Sequence, residues 1–253
     1  MTMERFGVKE VVEATFYNLA TGKPELFLDT LKMSSLNMEA QETVITGGQG
    51  NPELISWDFG KTGTMEIQDA LLNPKAFATK SGNALVTGVA EVYKREANLT
   101  AVAGESGKSK ITLLKPAIAG SVHVYLSEDG YDQELEIATF TLATNEVIFD
   151  LTDVAIGEDV LVYYRYLTDD KAQTIKVSSD KFPGYYRVVG DTLVKNEKTG
   201  VDEAFQIVID KAKMSSAFSL SLEPENPSVF DFSLKIMKAT GSTDMVRMTK
   251  YTE

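Results

Sequence analysis

The segment Gly104-Glu105-Ser106-Gly107-Lys108-Ser109 has the ending of a phosphate-binding loop. That motif requires its first glycine where this chain has Val102, and its lysine must open a helix whose N–H groups hold the phosphate. Here a β-like run, Ile111-Thr112-Leu113-Leu114, follows and ends at Pro116, so the segment reads as a Gly/Ser hairpin loop. Glu128, Asp129, Asp132, Glu134 and Glu136 gather carboxylates that suit a hard cation, yet lack the residue order of a calcium loop and read as a solvated turn. His123 is the chain's one histidine, and with no cysteine beside it, thiolate and histidine-rich metal sites and disulfides are closed off. Tyr163, Tyr164, Tyr166, Tyr185 and Tyr186 fit either a sugar-binding platform or strand packing. No pair among the 37 acidic residues stands out as a general acid and base. The expectation is a non-enzyme without cofactor or metal.

The chain has 253 residues, of which 43% are hydrophobic, enough for one large or two small cores. A net charge of −12 repels polyanions, so specific nucleic-acid binding is not expected; a conduit that DNA must traverse quickly would also lack a basic lining. No secretory leader or membrane-spanning run is apparent, which places the chain in the cytoplasm or inside something larger that leaves it.

Period-two alternation, broken often by Gly, Asn and Asp, predicts an all-β fold of two packed antiparallel sheets with one flanking helix and a small β-rich insertion. Strands are expected at Leu54 to Phe59, Val160 to Tyr166, Phe205 to Ile209 and Phe230 to Ile236. Hairpin turns are expected at Glu128-Asp129-Gly130, Asn145-Glu146 and Asn196 to Gly200. A helix is expected over Gln68 to Lys80, capped by Asp69, or restarting at Asn73 with Pro74 in the first position. Glu10 to Leu19 is a second, weaker helix or a strand. Residues 1–100 and 171–253 form the expected main core. Residues 101–170, with Gly-rich acidic turns and strand spacing suited to a sandwich, form an inserted module.

Two segments share an order: Met33-Ser34-Ser35 leading to Trp57-Asp58-Phe59, and Met214-Ser215-Ser216 leading to Phe230-Asp231-Phe232. An internal pseudo-repeat and coincidence both stay open, because the apolar phase after the two segments differs by one residue. In these ribbons Leu36, Met38, Ala40, Ile55, Trp57, Phe59, Phe218, Leu220, Leu222, Phe230, Phe232, Leu234 and Ile236 form an apolar face. The opposite face carries Asn37, Glu39, Gln41, Ser56, Asp58, Ser219, Ser221, Glu223, Asp231, Ser233 and Lys235, and is polar, small and mainly acidic. It is either the solvated side of a sheet or the wall of a water-filled channel.

The run Thr46-Gly47-Gly48-Gln49-Gly50-Asn51-Pro52-Glu53-Leu54-Ile55-Ser56-Trp57-Asp58-Phe59-Gly60-Lys61 with Ile67 to Pro74 resembles the tail tube (major tail) proteins of Gram-positive bacteriophages. Ala20 to Lys32 is similar to the same family, as are Lys181 to Tyr186, Gly190-Asp191-Thr192, Phe205 to Ile209 and Pro227 to Phe232. The resemblance implies a non-catalytic subunit of the virion tail, assembled in the host cytoplasm into stacked hexameric rings. The channel-facing residues above would line a lumen through which DNA passes without specific binding. Gly47, Gly48, Gln49, Gly50, Asn51, Pro52 and Glu53 would order against a neighbouring subunit. Implied partners are the chain itself and the tape measure, tail terminator and distal tail or baseplate proteins, with no membrane. The alternative is a carbohydrate- or cell-surface-binding β-sandwich module using the tyrosines.

Overall fold

The computed structural model describes residues 5–8, 10–126, 136–137, 139–220, 222–223 and 229–252. In chain order the elements begin with β1 (Phe6–Val8), β2 (Glu13–Asn18), β3 (Pro24–Leu28), β4 (Leu31–Thr46), β5 (Glu53–Asp69) and the helix α1 (Pro74–Lys80). Shorter strands follow: β6 (Val86–Thr87), β7 (Glu91–Thr100), β8 (Val102–Ala103), β9 (Lys108–Thr112), β10 (His123–Tyr125) and β11 (Glu136–Ile137). Then come β12 (Thr141–Ala143), β13 (Glu146–Asp150), β14 (Asp159–Leu167) and β15 (Gln173–Thr174). The last four are β16 (Tyr185–Asn196), β17 (Asp202–Met214), β18 (Phe230–Ile236) and β19 (Val246–Tyr251). The chain is mainly antiparallel β, as its alternation requires, with one α-helix among the described residues.

Two compact units result, one made of the chain through Leu85 together with the chain from Ile175 onward, the other of Val86–Thr174. The first unit holds a nine-stranded sheet ordered β3-β2-β16-β17-β18-β5-β4, with β1 added to β16 and β19 to β17. Phe16 on β2 and Phe232 on β18 have ring centres 6.4 Å apart although β16 and β17 lie between their strands. In a flat sheet they would be roughly 14 Å apart. The sheet therefore bends over itself, and its two halves enclose Phe16, Met65, Ile67, Ile209, Phe232 and Leu234. Strand β18 shows why: Phe230, Phe232, Leu234 and Ile236 point inward while Asp231, Ser233 and Lys235 stay exposed.

The second unit is a small sandwich of two four-stranded sheets, β11-β10-β14-β7 and β12-β13-β9-β8, around Ile111, Val124, Val147, Phe149, Val162 and Tyr164. Its boundary differs from the expected 101–170. Glu91–Thr100 pairs along its length with Asp159–Leu167, so this strand belongs to the inserted unit rather than to the main core. Within the core, the Glu96 carboxylate is buried and accepts hydrogen bonds from the Tyr164 phenol and the Leu114 N–H. That arrangement removes Tyr164 from any exposed platform. At the phosphate-loop look-alike, Glu105–Gly107 forms one 3₁₀ turn and Lys108 opens strand β9, with its amine 3.3 Å from Asp150, so the hairpin reading holds.

Two expectations shift at element ends. The helix begins at Pro74, with Asn73 Oδ1 accepting from the N–H of Lys75 at 2.9 Å and of Ala76 at 3.5 Å. Gln68 and Asp69 instead end β5, because both pair with β4 on one side and β18 on the other. Asp69 is buried and accepts from Thr30 Oγ1 at 2.5 Å. Within Glu10 to Leu19 the regular element is strand β2.

Tyr186, packed edge-on against Phe16 at 6.1 Å, gives the core a pH handle. Burial, then the Glu25 carboxylate, favour its neutral phenol and push its pKa up to about 12 from 10.0. Between those values the unfolded chain binds fewer protons than the folded one, so stability falls as pH rises through the window. Tyr186→Phe is expected to flatten that alkaline loss in denaturant titrations and, by removing the phenol's hydrogen bond to Glu25, to lower the neutral-pH midpoint modestly.

Candidate assembly interface

Strand β5 is the backbone of the site. From Gly63 to Asp69 it pairs with β18 on one edge and β4 on the other. Below Gly63 β4 is the one strand that pairs with β5 among the described residues, and the two continue to Glu53 and Thr46 as a two-stranded arm whose edges meet no further described strand. From Glu39 to Thr46 this arm is roughly 25 Å long. Isolated two-stranded ribbons of this kind are marginal in water, and open strand edges invite pairing with another chain.

The arm contains a bulge that reverses its faces. Glu39 pairs with Thr62 and Gln41 with Phe59, so Ala40 faces two residues, Gly60 and Lys61. Gly60 sits at φ 59°, the left-handed region where a side chain is strained. One extra residue inverts the parity of β5. Met65 and Gly63 face the core beside Leu36 and Met38, whereas Ile55, Trp57 and Phe59 emerge on the opposite side, across from Ile45, Thr43 and Gln41. Ile55, Trp57 and Phe59 are 53%, 50% and 50% exposed. The expected apolar face therefore splits: Leu36 and Met38 lie on one side of the hairpin, and the Ile55-Trp57-Phe59 row on the other.

The expected channel face is reorganised accordingly. Asn37, Glu39 and Gln41 share an outward face with Asp231 and Ser233, joined across β5 by Thr62, Thr64, Glu66 and Gln68. Gln68 Nε2 donates to Asp231 Oδ1 at 2.9 Å. Asp58 is not on this face; it lies opposite Glu42 on the reverse side of the arm, because of the bulge at Gly60. Ser219 and Glu223 belong to no strand, and Ser221 lies outside the described residues. A continued β17 would bring Ala217 opposite Asp231, but the Lys80 amine at the end of α1 already donates to the Asp231 carbonyl. Phe77 fills the adjoining space, 4.6 Å from Phe218 and 5.2 Å from Phe230. Burial lowers the pKa of Lys80, against the opposing pull of Asp231, and its amine stacks 4.9 Å from the Phe230 ring centre.

The outward face is also less acidic than expected. Lys235 pairs across from Lys213, which pairs across from Tyr185, placing two cations beside Glu39, Glu66 and Asp231. Lys235 belongs to the polar face expected from the sequence, whereas Lys213, across from it on the neighbouring strand, is the cation that sequence reasoning missed. At the arm's end, Gly47 to Glu53 closes through Gly47 N–H to Pro52 O at 3.1 Å and Asn51 N–H to Gly48 O at 3.1 Å. Gly48, Gly50 and Asn51 all adopt positive φ. Of the acidic cluster only Glu136 is described, 2.8 Å from His123 Nδ1. No cluster of metal-ligating side chains occurs among the described residues. The tyrosines do not converge: Tyr186 and Tyr164 are core residues, and Tyr185 lies under Lys211 in the other unit from Tyr163 and Tyr166.

The family model described as the YomU/Tube protein family matches residues 6–248. No curated protein matches the chain.

The bulge gives a direct test of the arm. In Gly60→Val the strained φ should weaken local pairing by about 1–2 kcal/mol. Amides of Glu53 to Phe59 are then expected to exchange faster with deuterium, while those of β18 keep their protection.

Proposed function

Because the chain belongs to the YomU/Tube protein family, we propose that it is the structural subunit of a bacteriophage tail tube, a component of the virion tail. Copies would join edge to edge into hexameric rings, and the rings would stack into a hollow conduit for DNA. The observation that carries this reading is the arm: a ribbon whose edges meet no further described strand, with an apolar row of Ile55, Trp57 and Phe59 that the described residues leave half exposed. Docking it on a neighbour buries that row and pairs the open N–H and C=O groups, the two gains that a lone subunit forgoes. The tip, Gly47 to Glu53, would order in the same step.

Closure of the ring removes the free edge of β4, which is the last strand of the sheet. The face of Asn37, Glu39, Asp231 and Ser233 is the one that would turn to the channel, and Gln41, across from Phe59, marks where that face passes into the docked row of the arm. Its acids share the face with the adjoining Lys213 and Lys235, so repulsion of DNA rests on the subunit's net charge of −12 more than on a uniformly acidic lining. Tape measure, tail terminator and baseplate proteins would meet the tube at its interior and ends, with assembly in the host cytoplasm and no catalytic step.

Trp57 is the one tryptophan of the chain and stands on the arm, so its emission reports docking. A concentration series is expected to give rings or hollow tubes of uniform diameter by negative-stain electron microscopy, with a blue shift of Trp57 emission in parallel. Phe59→Glu should stay monomeric with red-shifted emission and an unchanged core melting transition. Monomers at every concentration with invariant Trp57 emission would overturn the reading.

A further inference from the structure

We propose that the outward face of the β11-β10-β14-β7 sheet binds acidic carbohydrate, a second function that does not rest on the assembly role. Across this sheet His123 pairs opposite Tyr163, Tyr163 opposite Arg95, and Arg165 opposite Tyr93. Directly opposed residues share a face, and their strand neighbours Val124, Val162 and Tyr164 are buried, so this row points outward. The face is concave: Tyr93, Arg95, Ser121, His123, Tyr163 and Arg165 line a shallow cavity of 460 Å³, within the range of small-ligand sites.

The chemistry of that lining is specific. Tyr93 is 83% exposed, an aromatic plane held away from any core. The Arg165 guanidinium lies 5.9 Å from its ring centre and is oriented by Glu91 at 2.6 Å. Arg95 is exposed and forms no ion pair among the described residues. An open ring accepts the C–H face of a sugar, and a guanidinium fork accepts a carboxylate in two parallel hydrogen bonds. His123 offers a further polar group at the rim, its ring held by Glu136.

Charge selects the occupant. Acidic residues outnumber basic ones about two to one within Val86–Thr174, yet both arginines of this unit stand on this one face. The surrounding acids repel a densely charged polymer such as nucleic acid. A sugar chain with separated carboxylates instead matches the guanidinium of Arg95, unpaired among the described residues, near a stacking ring that Arg165, itself held by Glu91, flanks.

The test titrates the full chain by calorimetry with hexagalacturonate, with uncharged maltohexaose and with an oligothymidylate of similar charge. Hexagalacturonate is expected to bind at least about tenfold more tightly than either of the others, and more weakly as salt rises. Tyr93→Ala and Arg95→Ala should each weaken it by about tenfold, and because both side chains are exposed the melting temperature should not move. The proposal is overturned if hexagalacturonate does not bind, if maltohexaose or oligothymidylate binds equally well, or if the double variant binds like the parent.

Discussion

The first unit depends on where strand β5 finds partners. Between Gly63 and Asp69 its backbone is satisfied on both edges, and there the side chains of Met65 and Ile67 are buried with Phe232 and Leu234. Where β18 stops, the second edge opens and burial stops with it. A single backbone accounting thus sets the extent of the core, the start of the arm and the position of the free edges. The helix sets a separate limit at the opposite end of β18, where Asp231 lies across from Gln68. By donating to the Asp231 carbonyl, Lys80 occupies a group that an extended β17 would have used, and so the strand ends at Met214. A lysine in this place is costly to bury, which is why its charged form is disfavoured and why Phe230 and Phe232 gather around the amine.

Much of this was legible in the sequence where local rules and tertiary context agree. Strand β18 alternates without a break, and Asn73-Pro74 announces a helix start through a side-chain cap and a residue with no N–H to lose. The hairpin of β16 and β17 turns where expected, with Asn196 Oδ1 accepting from the N–H of Lys198 and Thr199. What escaped was information carried between strands. Gly60 followed by Lys61 breaks no local pattern, yet it decides which side Trp57 occupies. Likewise the apolar alternation of Phe218, Leu220 and Leu222 is a strand signal that a lysine from another element overrules. Glu91–Thr100 was assigned to the wrong unit because its pairing partner lies some sixty residues downstream, a separation that composition does not record.

The candidate site was read in part. Asn37, Glu39, Gln41, Asp231 and Ser233 do share one face, as their alternation implied, but Asp58, Ser219 and Glu223 do not join them. The two Met-Ser-Ser segments also part company. Met33 to Ser35 lies within a long strand, whereas Met214 ends one, so similar residues serve different backbone roles. The exposed faces of the two units differ in kind as well. One couples an apolar row to open strand edges. The other sets aromatic rings beside guanidinium groups on paired strands, a surface that presents side chains rather than strand edges.

The short ribbon at the root of the second unit has a consequence of its own. Val86 and Thr87 pair directly with Thr174 and Gln173, so the chain enters and leaves this unit on neighbouring antiparallel strands about 5 Å apart. Seen from the first unit, the whole sandwich stands in for the turn of a hairpin. Exchange of the sandwich for another domain, or for a tight turn, changes what the hairpin carries without moving its two ends. Such a joint lets the inserted cassette be exchanged through recombination while the first unit is inherited intact.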